Sequence, residues 1–218
     1  MNMTNEERKR FSDLLACLFS PPDHEMVEHV RQRAIYSFFR NYLQIWGEDT
    51  DILKGFLVDG DQESTFRDLR EGHDRLFTSE IEKEKISLVE SFYKPWTQDP
   101  HCSLPFATDK GLLMGDSALH LLALYKQCDL GMNRGYQGMP DHLVLELEFL
   151  SFLYERATDR EISKFIEDHL DWIPLLKEKF KGACDHSFYR SALDVLILFL
   201  NREKERLEVG ESGKKEIS

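Results

Sequence analysis

Leu143-Val144-Leu145-Glu146-Leu147-Glu148-Phe149-Leu150-Ser151-Phe152-Leu153-Tyr154 follows directly on Pro140-Asp141-His142 and repeats its apolar residues at intervals of three and four. Leu143, Leu147, Leu150 and Tyr154 share one helical face, and Leu145, Phe149 and Phe152 widen it until most of the circumference is apolar. A helix of that kind cannot lie on a surface. It has to be covered by other helices, so it belongs at the centre of the core.

The flanking sequence supplies those helices. Upstream, Phe11, Leu14, Leu15 and Leu18 form one stripe, Pro21-Pro22 ends it, and Asp23 is placed to cap the next helix. Val27, Val30, Ala34, Phe38, Tyr42 and Ile45 predict one long helix closed near Gly47, followed by a short helix over residues 52–58 and an Asp59-Gly60-Asp61 turn. Further helices are expected over residues 63–77, over 81–93, and around Ala118, Leu121, Leu122 and Tyr125 with Asp116 or Ser117 as cap. Downstream come Ile162, Phe165, Ile166 and His169, then residues 172–180 with Pro174 in the first turn, then Leu193, Leu196, Ile197 and Leu200. No strand alternation of useful length and no internal repeat occurs. The expectation is an all-α, single-domain helical bundle of nine or ten helices over residues 1–202, with a charged tail over 203–218 that frays or is disordered. Its centre is interrupted by long Pro/Gly-rich loops, over about 94–115 and 129–139. Loops of that length in a compact domain are usually functional.

Composition narrows the function. Twenty-eight basic against forty acidic residues give a net charge of −12, which repels phosphate backbones and anionic lipid and attracts basic partners. Nucleic acid and membrane insertion are therefore not expected, and the longest unbroken apolar run, Val195 to Leu200, is far short of a span. An acidic start where an export signal needs a basic flank predicts a cytoplasmic protein. Cys17, Cys102, Cys128 and Cys184 have no paired spacing and read as reduced thiols.

Enzyme signatures are weak. Gly131, Gly135 and Gly138 lack the strand–turn–helix setting of a dinucleotide loop, and no phosphate-binding loop motif occurs. His142 and Glu146, one helical turn apart, need distant partners to hold a metal. Cys184-Asp185-His186 are sequence neighbours whose side chains diverge. His73-Asp74, with His24 or His29 upstream, is the sharper alternative, a metal-dependent all-helical phosphohydrolase. The reading preferred is a non-enzyme with no cofactor, in which an acid and an imidazole beside an apolar groove suit a peptide that is basic and then hydrophobic.

Four segments carry a family resemblance. Asp74-Arg75-Leu76-Phe77, Glu90-Ser91-Phe92-Tyr93, Leu113-Met114-Gly115-Asp116-Ser117 and Pro140-Asp141-His142-Leu143 resemble, in order, the motifs of the TorD/DmsD redox-enzyme maturation chaperones. Gly138 and Met139 stand where that family usually has Glu and often has Pro. The resemblance implies an all-helical cytoplasmic chaperone that binds the twin-arginine leader and apo catalytic subunit of a molybdopterin oxidoreductase; the loop over about 94–115, long enough for helix exchange between protomers, leaves monomer and homodimer both open. It further implies that Asp141 and His142 sit at the peptide site with Tyr93 and Phe77 lining it. Local chemistry adds Glu146, one turn beyond His142, and Trp96 in the Pro-rich loop.

Overall fold

The structure, a computed structural model, describes residues 3–78 and 86–215. Nine α-helices form the bundle among these residues, and no strand does. They are α1 (Asn5–Phe19), α2 (His24–Arg31), α3 (Ala34–Trp46), α4 (Gln62–His73), α5 (Asp116–Gln127), α6 (Leu143–Arg156), α7 (Asp159–His169), α8 (Ile173–Ala183) and α9 (Ser187–Lys215). The all-α expectation holds.

Helix α6 is central, as its composition requires. Leu143, Leu147 and Leu150 are fully buried, and α1 lies along it. The Ser12 hydroxyl, buried at that contact, donates to the Leu147 carbonyl at 2.8 Å, which removes the cost of leaving it unpaired. On the other side of α1, Phe11 stacks on Phe199 at 4.5 Å and meets Phe39 edge-on at 4.9 Å, which ties α3 and α9 into the same core. The Gly55 position in the 3-10 helix Thr50–Phe56 allows the backbones to touch: a Cβ there would lie 2.1 Å from the Ser187 carbonyl oxygen.

Local signals fixed several boundaries. Asp23 accepts from the Met26 amide at 2.8 Å and starts α2. Gly47, at φ +72°, closes α3. Asp61 accepts from the Ser64 amide and starts α4.

Four expectations are corrected. The long helix predicted between Val27 and Ile45 is two, broken where Arg33 takes the left-handed conformation at φ 58°. That break resets the helical phase, so Ile35, Phe39 and Leu43 face the core while Ala34 and Ile45 are exposed. The helix predicted over residues 63–77 ends at His73 and is followed by a π-helical turn, Asp74–Thr78. Of the helix predicted over 81–93, residues 81–85 lie outside the described residues, and 86–93 are extended chain leading into a 3-10 turn, Glu90–Phe92. Ahead of that turn the backbone groups pair with other segments: the Ile86 amide donates to the Leu76 carbonyl, and the Leu88 carbonyl accepts from the Leu143 amide. Last, the chain does not fray at Glu203. Helix α9 runs on to Lys215, with Glu203 and Leu207 buried.

Candidate functional site

The segments that stood out in the sequence meet at one junction. Val89 forms an isolated antiparallel bridge with His142, immediately before α6. The Glu90 amide donates to the Asp141 carbonyl at 2.9 Å, and the Leu143 amide to the Leu88 carbonyl at 2.7 Å. One Asp141 carboxylate oxygen accepts from both the amide and the hydroxyl of Ser91. Residues 86–93 are thus stapled across the start of α6, and their Ile86 end is tied to Leu76 in the Asp74–Phe77 segment. The fourth segment joins through Gly115, the cap of α5. A Cβ there would lie 2.3 Å from the Trp96 carbonyl oxygen. The expected cap Asp116 instead spends its carboxylate on Thr97 and the Gln98 amide, holding the Pro-rich loop against α5.

Behind the staple lies a buried polar network. Glu90, fully enclosed, contacts Lys94 Nζ at 2.6 Å and His169 Nδ1 at 3.1 Å. Lys94 also reaches Asp171 at 2.5 Å and the Asp168 carbonyl at 2.6 Å. His169 continues through its other ring nitrogen to His120 at 2.8 Å. Burial alone would raise the Glu90 carboxyl, but His169 and Lys94 outweigh it and hold it below the usual range. Glu146 behaves oppositely. Complete burial, then the charges of Glu90 and Asp141, push it well above the usual carboxylate range. Its Oε2 accepts from Trp172 Nε1 at 3.1 Å. Asp141 is also raised by burial, an effect that the Ser91 donors partly offset.

The six residues expected at a peptide site therefore divide. Asp141 and Glu146 are both 0% exposed, and Tyr93 stacks on Trp172 at 4.9 Å beside them. His142 caps α6, its Nδ1 accepting from the Val144 amide at 3.2 Å, and its ring lies 4.7 Å from that of Tyr136. Phe77 belongs to a separate cluster with His73, Phe180 and Tyr189. Trp96 packs edge-on against Phe106 within the loop. Glu146 departs furthest from expectation: enclosed against Trp172, it does not reach a guanidinium outside. Glu90, Lys94, His169 and Trp172 were not singled out from the sequence. Glu90 lay inside a quoted motif, but nothing local announces that His169 comes back to it across 79 residues, or that Trp172 stacks on Tyr93.

The phosphohydrolase alternative meets a different geometry. His73 is buried with Nε2 toward the Phe19 carbonyl, while Asp74 is half-buried and paired with Arg70. Among the described residues no group of three or more His, Cys, Asp or Glu side chains is arranged to hold a metal ion.

An all-α bundle whose central helix is stapled at its start by an upstream segment defines a helical protein built around that junction. Residues 38–183 match the family model described as nitrate reductase delta subunit, and the chain belongs to that family, which is that of the TorD-like chaperones. The chaperone protein TorD of Vibrio vulnificus is 30% identical over 115 residues, 45% of this chain and 54% of that one. TorD of Vibrio cholerae is 28% identical over 125 residues, 50% of this chain and 57% of that one. The chain thus spans about half the length of the curated relatives it matches. A solved structure described as a redox enzyme maturation protein from Archaeoglobus fulgidus is 20% identical, with a TM-score of 0.49 over 95% of this chain and 96% of that one.

Proposed function

We propose that the protein is a maturation chaperone for a molybdopterin oxidoreductase. In this reading it works in the cytoplasm, binding the twin-arginine leader and the apo catalytic subunit, and it delays export while the cofactor is inserted. It acts by binding alone, without covalent chemistry or a cofactor of its own. The observation that carries the reading is the convergence of the four motif segments, spread over residues 74–143, on one junction in a chain of this family. Charge agrees with it, since a −12 chain attracts the paired guanidinium groups that open such a leader. No described helix is long and apolar enough to cross a membrane.

Within this reading the junction frames the peptide site. His142, Tyr93, Phe77 and Trp96 shape its walls. Asp141 and Glu146, buried as they are, act from behind, Asp141 by holding the Ser91 backbone and Glu146 by holding the Trp172 indole.

Co-purification of the tagged chain from anaerobically grown source cells, followed by mass spectrometry, tests the proposal. Recovery of a molybdoenzyme catalytic subunit still carrying its leader is the expected result. Clean protein with no such subunit would sink it.

A further inference from the structure

Helices α5, α6 and α7 enclose a hollow of about 430 Å³ beside the buried network. Its wall is aromatic. Phe149 and Phe165, both buried, meet at 5.2 Å, and the half-buried Phe152 stacks on Phe149 at 5.8 Å. Leu124 and Leu153 complete an apolar lining. A hollow of this size, apolar on most sides and polar at a few points, has the usual form of a small-molecule site.

Its charged groups are unevenly occupied. Glu161 spends its carboxylate on the amide and hydroxyl of Thr158, each at 2.8 Å, and Lys164 is held by Asp168 at 2.7 Å. Arg156 has no ion-pair partner among the described residues, and its guanidinium lies 5.1 Å over the Phe152 ring. The other open group is His120, which ends a chain of hydrogen bonds that starts in the core. Glu90, held as a carboxylate by His169 and Lys94, can only accept, so His169 Nδ1 donates to it at 3.1 Å. A neutral His169 ring then accepts at Nε2, which makes His120 Nδ1 the donor in their 2.8 Å contact. His120 Nε2 is left at the exposed end of the chain, with a lone pair and no partner among the described residues. A proton taken up there makes an imidazolium that keeps every bond of the chain and is supported through it by the Glu90 charge. Burial first, then His169 and Lys164, hold the His120 imidazole below its ordinary value against the pull of Asp168 and Glu90, while Arg156 and Glu161 face the same hollow from α6 and α7. The ring is thus neutral at pH of about 7 until an anion arrives.

We propose that this hollow binds a small carboxylic acid with an apolar or aromatic body, its carboxylate received by His120 and Arg156 and its body by Phe149, Phe152 and Phe165. The assignment goes beyond the chaperone reading and does not depend on it. A single carboxylate matches one guanidinium and one imidazole, whereas a polyanion would bring more charge than these two groups balance into a chain of net charge −12. A cation finds the carboxylates of Glu161 and Asp168 already engaged. Glu90 connects the hollow to the junction, because its carboxylate meets His169 while its amide donates to the Asp141 carbonyl.

Isothermal titration calorimetry of the full chain with phenylbutyrate tests this, with the uncharged amide of the same acid as control. The acid should bind once per chain with a dissociation constant of about 1 mM or tighter, and the amide about tenfold more weakly. Repeating the titration at pH of about 7.5 in buffers of different ionisation enthalpy should show that the acid brings in a proton and the amide does not. His120→Gln should abolish the proton uptake and weaken the acid about tenfold, and Arg156→Gln should weaken it as much with the uptake kept. Both positions are exposed, and an unchanged unfolding midpoint verifies the fold; either variant serves if the other is destabilised. No binding of the acid, equal binding of acid and amide, or variants that bind like the wild type would each overturn the inference and leave the chaperone reading standing. A peptide ending in Leu-Phe with a free carboxyl that displaces the acid and binds more tightly would assign the hollow to a chain terminus and overturn the small-ligand assignment.

Discussion

His142 does its structural work only when neutral. Its Nδ1 accepts a hydrogen bond from the Val144 amide, which a protonated ring cannot do. Burial, reinforced by the nearby His73, pushes the imidazole down to about 4. A folded-state value below the unfolded one of about 6.5 means that the folded chain binds fewer protons. The stabilisation is therefore complete above pH of about 6.5 and is lost as pH falls toward 4. Asp141 and Glu146, both raised, work in the opposite sense, so the contribution of His142 shows only against a variant. Asn at position 142 keeps a capping oxygen without the titration. Between pH 7 and pH 4 the wild type should lose on the order of 3 kcal/mol more than His142→Asn in urea unfolding. Parallel profiles would mean that the ring is protonated without cost. At this scale the sequence was legible wherever a residue acts on its immediate neighbours. Asp23 could be read as a cap, whereas the task of Asp116, bonding to Thr97 and Gln98, could not.

Among the elements, α9 separates local pattern from tertiary context. Its charged second half resembles a solvated tail, yet Glu203 is enclosed by Arg8 at 2.8 Å, Arg206 at 2.9 Å and the Tyr154 hydroxyl at 3.0 Å. Arg8 is itself buried, so removing its partner strands a charge away from water. Glu203→Ala should cost about 3 kcal/mol and lower the thermal midpoint by roughly 6–12 °C. A loss within the range of exposed ion pairs, under about 1 kcal/mol, would show that solvent replaces the partner. The same contrast explains residues 86–93. Ile86, Leu88 and Val89 are apolar enough for a helix, but the start of α6 offers their backbone groups better partners, and tertiary pairing overrides local preference.

For the whole molecule, the charge of −12 acts at long range, whichever surface receives the peptide. Association of a basic leader peptide should slow about tenfold between low salt and roughly 0.3 M salt, with little change in dissociation, as stopped-flow mixing would show. A salt-independent association rate would mean that the apolar run alone carries recognition. The six residues expected at a peptide site illustrate the limit of reading at this scale. Glu146 and Tyr93 meet at Trp172 and Asp141 is held by Ser91, while Phe77 and Trp96 belong to clusters of their own.

The amino-acid sequence by itself determined the all-α class, the place of α6 at the centre and several helix ends, because periodicity and capping depend on residues within one or two turns. The family, too, was legible in four short motifs. Only the tertiary structure decided that Asp141 and Glu146 face inward, that Glu90, Lys94 and His169 join one network, and that His120 carries the end of it to the hollow between α5, α6 and α7. Burial and pairing across long sequence separations are properties of the packed bundle. A carboxylate in a sequence carries no mark of which side of a helix its neighbours will cover.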